Sequence, residues 1–222
     1  MAAPSFFTTQ DPVSSSGDVE KKIKSFHQKE LTHVQSMIDR LLLVMPQSPT
    51  LLFLVGYWNQ RVTEEWTEAV KWLSRSAGLK HTGAMFSLAW CTSNGKGVAK
   101  NKAEGTRLYM TAAQSGHVAA QYYFAEALID GQGIPSDVGQ GVHWYMQAAK
   151  NGDGDAQYEV GMLYQNGTGV AKDPNLSMMW FQHAANQGHA DAKREMIKHT
   201  PKPVSVTTNP PSNGVLNFFK IN

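Results

Sequence analysis

Cysteine is almost absent: Cys91 is the one cysteine in 222 residues, so no internal disulfide can staple the chain. That usage fits a reducing compartment. An excess of one charge is also missing. A formal net charge of +2 is too small to point to nucleic acid or an anionic membrane as a partner. The first 20 residues contain no Lys or Arg and no continuous apolar core, which argues against a secretory signal and against an Arg-rich presequence. Long hydrophobic runs are lacking too. The apolar clusters 41–45 and 51–55 are separated by Pro46, Gln47, Ser48 and Pro49, and even together they fall short of the roughly 20 apolar residues that span a bilayer. A cytoplasmic location is expected, with mitochondrial import by a non-standard signal as the alternative.

Catalytic chemistry is equally thin. The eight histidines are scattered, with no pair at ligand spacing beside cysteines or acids. The glycine loops at 94–97, 130–133 and 166–169 superficially suggest phosphate binding, but no Gly-Lys-Ser/Thr follows and no strand precedes them. Asn151, Asp153 and Asp155 alternate like the start of a calcium loop. Ala156 then stands where that loop needs glycine, and Met162 where it needs glutamate. Cys91 falls at a core position of a helix, which suits an inert thiol better than a nucleophile. No catalytic residue, cofactor or metal ligand is therefore expected, and the chain reads as a non-enzyme.

What is present is a repeat. Hydrophobic residues at 41% and charged residues at 17% suit an ordinary core-forming protein, and its sequence returns on itself every 36 residues. In the windows 83–118, 119–154 and 155–190 the second position holds Ala84, Ala120 and Ala156, with Ala192 beginning a fourth. A glycine pair recurs at Gly95/Gly97, Gly131/Gly133 and Gly167/Gly169. An alanine pair recurs at Ala112/Ala113, Ala148/Ala149 and Ala184/Ala185, and a closing glycine at Gly116, Gly152 and Gly188. A fixed period of this length is the mark of a helical-repeat array.

Each element has a use in a helical hairpin. The first helix covers about the first 12 positions of a window, with core residues at position six (Leu88, Phe124, Val160) and position nine (Cys91, Ala127, Leu163). Position seven stays small (Ala89, Ala125, Gly161), which lets a neighbouring helix approach. The glycine pair stops that helix. Asn101, Asp137 and Asp173 are placed to cap the second helix, and Pro174 suits its first turn. The buried side of the second helix is expected to carry Leu108, Trp144 and Trp180, with Tyr109, Tyr145 and Phe181 beside them.

The segment 156–192, with Ala156, Val160–Gly161, Tyr164, the Gly167–Gly169 pair, Val170, Asp173, Trp180, the alanine pair and Gly188–His189, resembles the Sel-one-like repeats, relatives of the tetratricopeptide repeat. The resemblance covers residues 83–197. The first window departs from it, with Thr92 in place of a tyrosine and Leu108 in place of a tryptophan. What the resemblance implies is an all-α, right-handed α/α superhelical solenoid acting as a scaffold or adaptor. About three full 36-residue helix-turn-helix repeats are expected, plus one degenerate N-terminal repeat and flanking helices.

The expected organisation has five parts. Residues 1–17 form a Ser/Thr/Pro-rich tail. In 18–47 a capping helix shows Val19, Ile23, Phe26, Val34, Ile38, Leu41 and Met45 on one face. Residues 48–82 are the degenerate repeat, with Asn59 and Arg61 at the glycine-pair positions and Thr63 expected to cap its second helix. Residues 83–199 carry the regular repeats and a short C-terminal capping helix. Residues 200–222 form a Pro/Thr-rich tail ending in an apolar segment with Val215, Leu216, Phe218, Phe219 and Ile221. That segment either folds back on the solenoid or docks on a partner.

Opposite the core positions of the first helices, positions four and eight give Phe86 and Trp90, then Tyr122 and Glu126, then Tyr158 and Met162. First helices line the concave face of such solenoids, and aromatic anchors carry interface energy. These six residues, with Leu216, Phe218 and Phe219, are the expected partner-binding set; packing between adjacent first helices is the alternative for the rings. Charge is banded: residues 48–118 sum to +4, 119–190 to −5 and 191–222 to +3, a pattern able to orient a partner. The expected function is a non-catalytic protein–protein adaptor, or alternatively a permanent, possibly mitochondrial subunit of a large complex. The expected partners are other proteins of unknown identity, with no nucleic acid and no membrane span.

Overall fold

The computed structural model describes residues 32–199 together with Lys29. A helix over 32–44 (α1) is followed by α2 (Pro49–Trp58), one π-helical turn (Asn59–Thr63), α3 (Trp66–Gly78), α4 (Thr82–Asn94) and α5 (Lys102–Gln114). The chain continues through α6 (Val118–Asp130), α7 (Val138–Lys150), α8 (Gly154–Asn166), α9 (Pro174–Asn186) and α10 (Ala190–His199). No strand occurs among the described residues. From α2 onward each helix packs chiefly on the helices before and after it, α4 on α5, α6 on α7 and α8 on α9 within hairpins, and α5 on α6 and α7 on α8 between them. This is a helical solenoid.

The stop and start signals work as their chemistry requires. Gly95, Gly131 and Gly167 take left-handed φ values of 71°, 69° and 76° at the ends of α4, α6 and α8. At Gly97 (φ 69°) a Cβ would lie 2.2 Å from the Trp66 carbonyl oxygen, so the second glycine lets its loop lie against the start of the preceding repeat's second helix. Asn101, Asp137 and Asp173 accept the N–H groups of Glu104, Gln140 and Leu176 at 2.9–3.0 Å, each satisfying a helix-start donor that has no partner within the helix.

The first helices are capped by residues that sequence reasoning did not assign. His81, His117 and His189 accept the N–H groups of Ala84, Ala120 and Ala192 through Nδ1 at 3.2 Å. Asp153 does the same for Ala156 at 2.8 Å through Oδ1.

The core is a row of clusters, each bridging neighbouring elements. Leu73, Ala84 and Cys91 form the first. Met85, Ala89, Leu108, Tyr109 and Phe124 belong to the second. Ala125, Val142, Tyr145, Val160 and Leu163 belong to the third. Phe181, Ala184, Ala185 and Ala192 close the row.

One expectation shifts here. Trp144 and Trp180 are half-buried, while their neighbours Tyr145 and Phe181 are the buried residues, Phe181 completely so at 0% exposure. Trp144 packs against both the second and third clusters, so the indole covers a seam between repeats while the adjacent ring fills the hairpin. Gly161 explains the depth of Phe181: a Cβ there would sit 2.6 Å from the ring. Position six is not uniformly buried either, since Leu88 is half-buried beside Phe124 and Val160.

The first hairpin differs. Thr63 caps nothing; its hydroxyl donates back to the Asn59 carbonyl at 3.3 Å, because the backbone continues as a π-helical turn through the place where the glycine pair is missing. Glu64 then turns the chain with φ 57°, and Glu65 precedes α3 without a side-chain cap. In α1 the expected capping face is exposed at Leu41 and Met45, and Leu43 and Val44 are 84% and 78% exposed. Val34 and Ile38 are half-buried. Val19, Ile23 and Phe26 lie outside the described residues, as do both tails.

Candidate functional site

The position-four and position-eight residues of α4, α6 and α8 share one face, and all six are half-buried. Much of what buries them is one another's surroundings. Phe86 stacks on His117 with ring centroids 4.8 Å apart and planes 18° apart, and also meets Tyr109 and Tyr123. The Phe86–Tyr123 contact joins α4 to α6. Tyr158 stacks on His189 at 4.6 Å and 16° and leans on Phe181 at 5.7 Å. Trp90 meets Trp66 at 5.7 Å. Met162 packs on the Phe181 cluster. The rings therefore carry structure and surface together: one part seals first helix to first helix and the remainder faces outward.

Tyr122 is the exception in its row. It contacts Tyr123 edge-on at 5.2 Å and Tyr145 at 5.3 Å with planes 57° apart. Neither ring lies parallel on it.

Between α4 and α6 a cavity of about 260 Å³ opens, lined by Trp90, Tyr109, Tyr123, Glu126, Lys100 and Lys102 among others. Lys102 donates to Gln132 Oε1 at 3.1 Å. Thr106 closes one wall by donating to the Gln132 carbonyl at 2.6 Å.

Electrostatically the face is acidic in its middle. Burial pushes the Glu126 carboxyl above the usual carboxylate range; Asp130 adds to the rise and Lys102 opposes it. Burial does the same to Glu159, and the Glu126 charge pushes it further. Asp153 is raised by burial despite its cap hydrogen bond. Burial raises the Tyr122, Tyr123 and Tyr158 hydroxyls as well, helped by the carboxylates around them. Glu159 and Tyr123 were missed by the sequence reading, which followed positions four and eight. Both stand at position five, where Ser87 of the first repeat is buried and gives no hint of a surface.

Other reactive groups are spent. The Cys91 thiol is buried and pushed up to about 11, far from the thiolate that nucleophiles and metal ligands need. Among the described residues no three His, Cys, Asp or Glu side chains gather as a metal cage, and no helix is long and apolar enough to cross a membrane. Leu216, Phe218 and Phe219, the other three residues of the expected binding set, lie outside the described residues.

A family model described as Sel1 repeat matches residues 67–81, 82–117, 118–153 and 154–189. Its first match begins inside α3, so α2 and the π-helical turn fall outside it. Among solved structures, a Sel1 repeat protein from Oxalobacter formigenes is 26% identical with a TM-score of 0.67, covering 77% of this chain and 74% of its own. The protective antigen c5321 of uropathogenic Escherichia coli, which displays an SLR fold, is also 26% identical with a TM-score of 0.67. That likeness covers 72% of this chain and 35% of the antigen. A comparison with curated proteins gives no match.

Proposed function

Because the chain belongs to the Sel1 repeat family, whose fold typically serves as a non-catalytic protein-interaction scaffold, we propose that it is an adaptor holding a partner protein along its first-helix face. The observation that carries this reading is the row Phe86, Trp90, Tyr122, Glu126, Tyr158 and Met162. It keeps aromatic and methionine surface half-open beside the cavity between α4 and α6. Aromatic anchors of this kind supply most of the energy of an interface. No step of catalysis is assigned to the face.

Trp90 gives the cleanest test, since its ring lies at the cavity. W90A should weaken partner binding by about 2 kcal/mol, or roughly 30-fold, measured well below its own melting transition, with a stability loss of about 2 kcal/mol or less because the ring also packs on Trp66. A photo-crosslinking residue at 90 or 162 should join the partner, and one at 147 or 182, exposed on second helices, should not. Crosslinks from the second helices alone would move the binding site to the opposite face.

A second reading, a permanent subunit of a larger assembly, is favoured by the exposed apolar residues near the start of the stack: Leu43, Val44 and Leu54. Exposed apolar surface of this kind marks association sites. Recovery of the native chain solely in a fixed-stoichiometry particle supports it; a free native monomer returns the weight to the adaptor.

A further inference from the structure

The stacking of a capping imidazole on a ring of the preceding first helix recurs along the solenoid. His81 lies on Phe53 at 4.6 Å and 22°, His117 on Phe86 at 4.8 Å and 18°, and His189 on Tyr158 at 4.6 Å and 16°. In each case the same histidine caps the following helix through Nδ1. Once in the series the pattern breaks. The cap 36 residues after His117 is Asp153, which performs the capping at 2.8 Å and brings no ring. Tyr122, which would have received that ring, has no parallel partner among the described residues.

The same substitution adds negative charge where little positive charge exists. Glu126 and Glu159 make no hydrogen bond or ion pair with any described side chain. Asp155 faces His189 Nε2 at 3.4 Å. Of the cations nearby, Arg194 pairs with Asp191 and Lys198 with Glu195 on their own helix, Lys102 donates to the Gln132 amide, and Lys100 shares the cavity with Glu126 without an ion pair to it. Glu126 also lines the cavity beside α4, so it is reachable from solvent. The residues around Tyr122 thus offer an aromatic ring without a parallel neighbour, flanked by two carboxylates that no described cation pairs with directly; Lys102 and His189 act on them only from a distance.

We infer that this part of the groove binds an arginine side chain of a partner protein, its guanidinium lying on Tyr122 and pairing with Glu126 and Glu159. The inference rests on the adaptor reading and names the chemistry of the partner. Arginine meets both demands of the site, because its planar cation stacks on an aromatic face and donates in a fork to carboxylates. A lysine ammonium gives charge alone. Half-desolvated carboxylates with raised affinity for protons gain more from such a cation than exposed ones do, and the −5 band over residues 119–190 draws a basic segment to this stretch of the face.

The test uses the full chain and fluorescein-labelled Gly-Ser peptides carrying three arginines, three lysines, three citrullines or three glutamates, read by fluorescence polarisation. The arginine peptide should bind saturably, the lysine peptide about fivefold more weakly or worse, and the citrulline and glutamate peptides not at all. Y122A and the double variant E126Q/E159Q should each weaken the arginine peptide by about tenfold. The double variant D137N/D173N removes the same charge from the same band and keeps capable caps; it should change binding by less than about twofold. D153H restores the imidazole found in the other three caps, and should abolish binding with the melting temperature kept. Absence of saturable arginine binding overturns the inference. So does equal loss in E126Q/E159Q and D137N/D173N, or unaltered binding in D153H. None of these results touches the adaptor reading, which W90A and the crosslinks test separately.

Discussion

The hairpin α2–α3 and the three hairpins from α4 to α9 reach the same packing by different backbone means. The regular hairpins close with Gly116, Gly152 and Gly188 at φ 88°, 92° and 96°. One period before Gly116 stands Lys80, which adopts φ 63°. Its N–H still donates to Ala77 O at 2.9 Å, and His81 N to Ser76 O at 3.2 Å, as the glycine turns do. In place of the first glycine pair, α2 runs on into a π-helical turn and reverses at Glu64. The packing therefore tolerates loss of the glycines, and it does so by placing two charged residues in a conformation that L-residues enter at a cost of about 1–2 kcal/mol each. Glycine is the cheap solution to a geometry that the packed helices impose.

That contrast can be tested in graded steps. Truncation of the core comes first: F181A should cost about 3–5 kcal/mol, because the ring is fully buried and fills the space over Gly161. W180A, at a half-buried seam, should cost about 2 kcal/mol or less. Equal losses would mean that seam and hairpin interior are energetically alike. The turns come next. G97A should cost more than about 2 kcal/mol, since positive φ and a backbone clash combine. G152A should cost about 1 kcal/mol, since nothing lies within 4 Å of its added Cβ and conformation alone is charged. At the degenerate hairpin the sign should reverse, with K80G stabilising by up to about 1 kcal/mol. A destabilising K80G would show that the lysine side chain holds the turn by contacts of its own.

The smallest effects lie in pH dependence, where two opposed slopes are expected. Burial lowers His81 and His117 from 6.5, so the unfolded chain takes up their protons first and stability falls as the pH drops below about 6.5. Burial raises Glu126 and Glu159 from 4.5, so the native chain holds those protons longer and stability falls as the pH rises from about 4.5 through their folded values. Melting temperatures across pH 4–8 should show a smaller first slope in H117N, which keeps a capping side chain, and a smaller second slope in E126Q/E159Q. Unchanged profiles would place the responsible titrations elsewhere.

The repeat, its hairpin plan and the asparagine and aspartate caps were legible because each needs a residue type at a fixed offset, and a 36-residue period shows every offset several times. The failures have the opposite character. Position 26 against position 27 of the window, Trp180 against Phe181, could not be ranked from sequence because neighbouring residues on a helix both border the core. Only the contact with the next hairpin decides which is deeper. Histidine as a helix cap was unread because it is an uncommon cap whose competence depends on an Nδ1 lone pair and on a ring to lie against. Thr63 looked like a cap by type, yet the π-helical turn claimed its hydroxyl. Glu159 was invisible because position five holds Ser87, Tyr123 and Glu159 in turn, three residues with no property in common.

Because each helix from α2 onward rests chiefly on its chain neighbours, the molecule is modular in the way a sentence of clauses is. The stretch 118–153 begins and ends at equivalent points of the period, so a tandem copy of it could be spliced in after residue 153 with every new junction identical in register to an existing one. The product would be one hairpin longer, with a duplicated Tyr122 and Glu126 and both ends untouched. Asp153 and its copy would then cap two successive first helices, one at the new junction with the copied Val118 and one at the existing junction with Gly154. Lineages that gain or lose length by such unequal exchange change the reach of the face in whole steps, and the identity of the cap at each step records which rings are left uncovered.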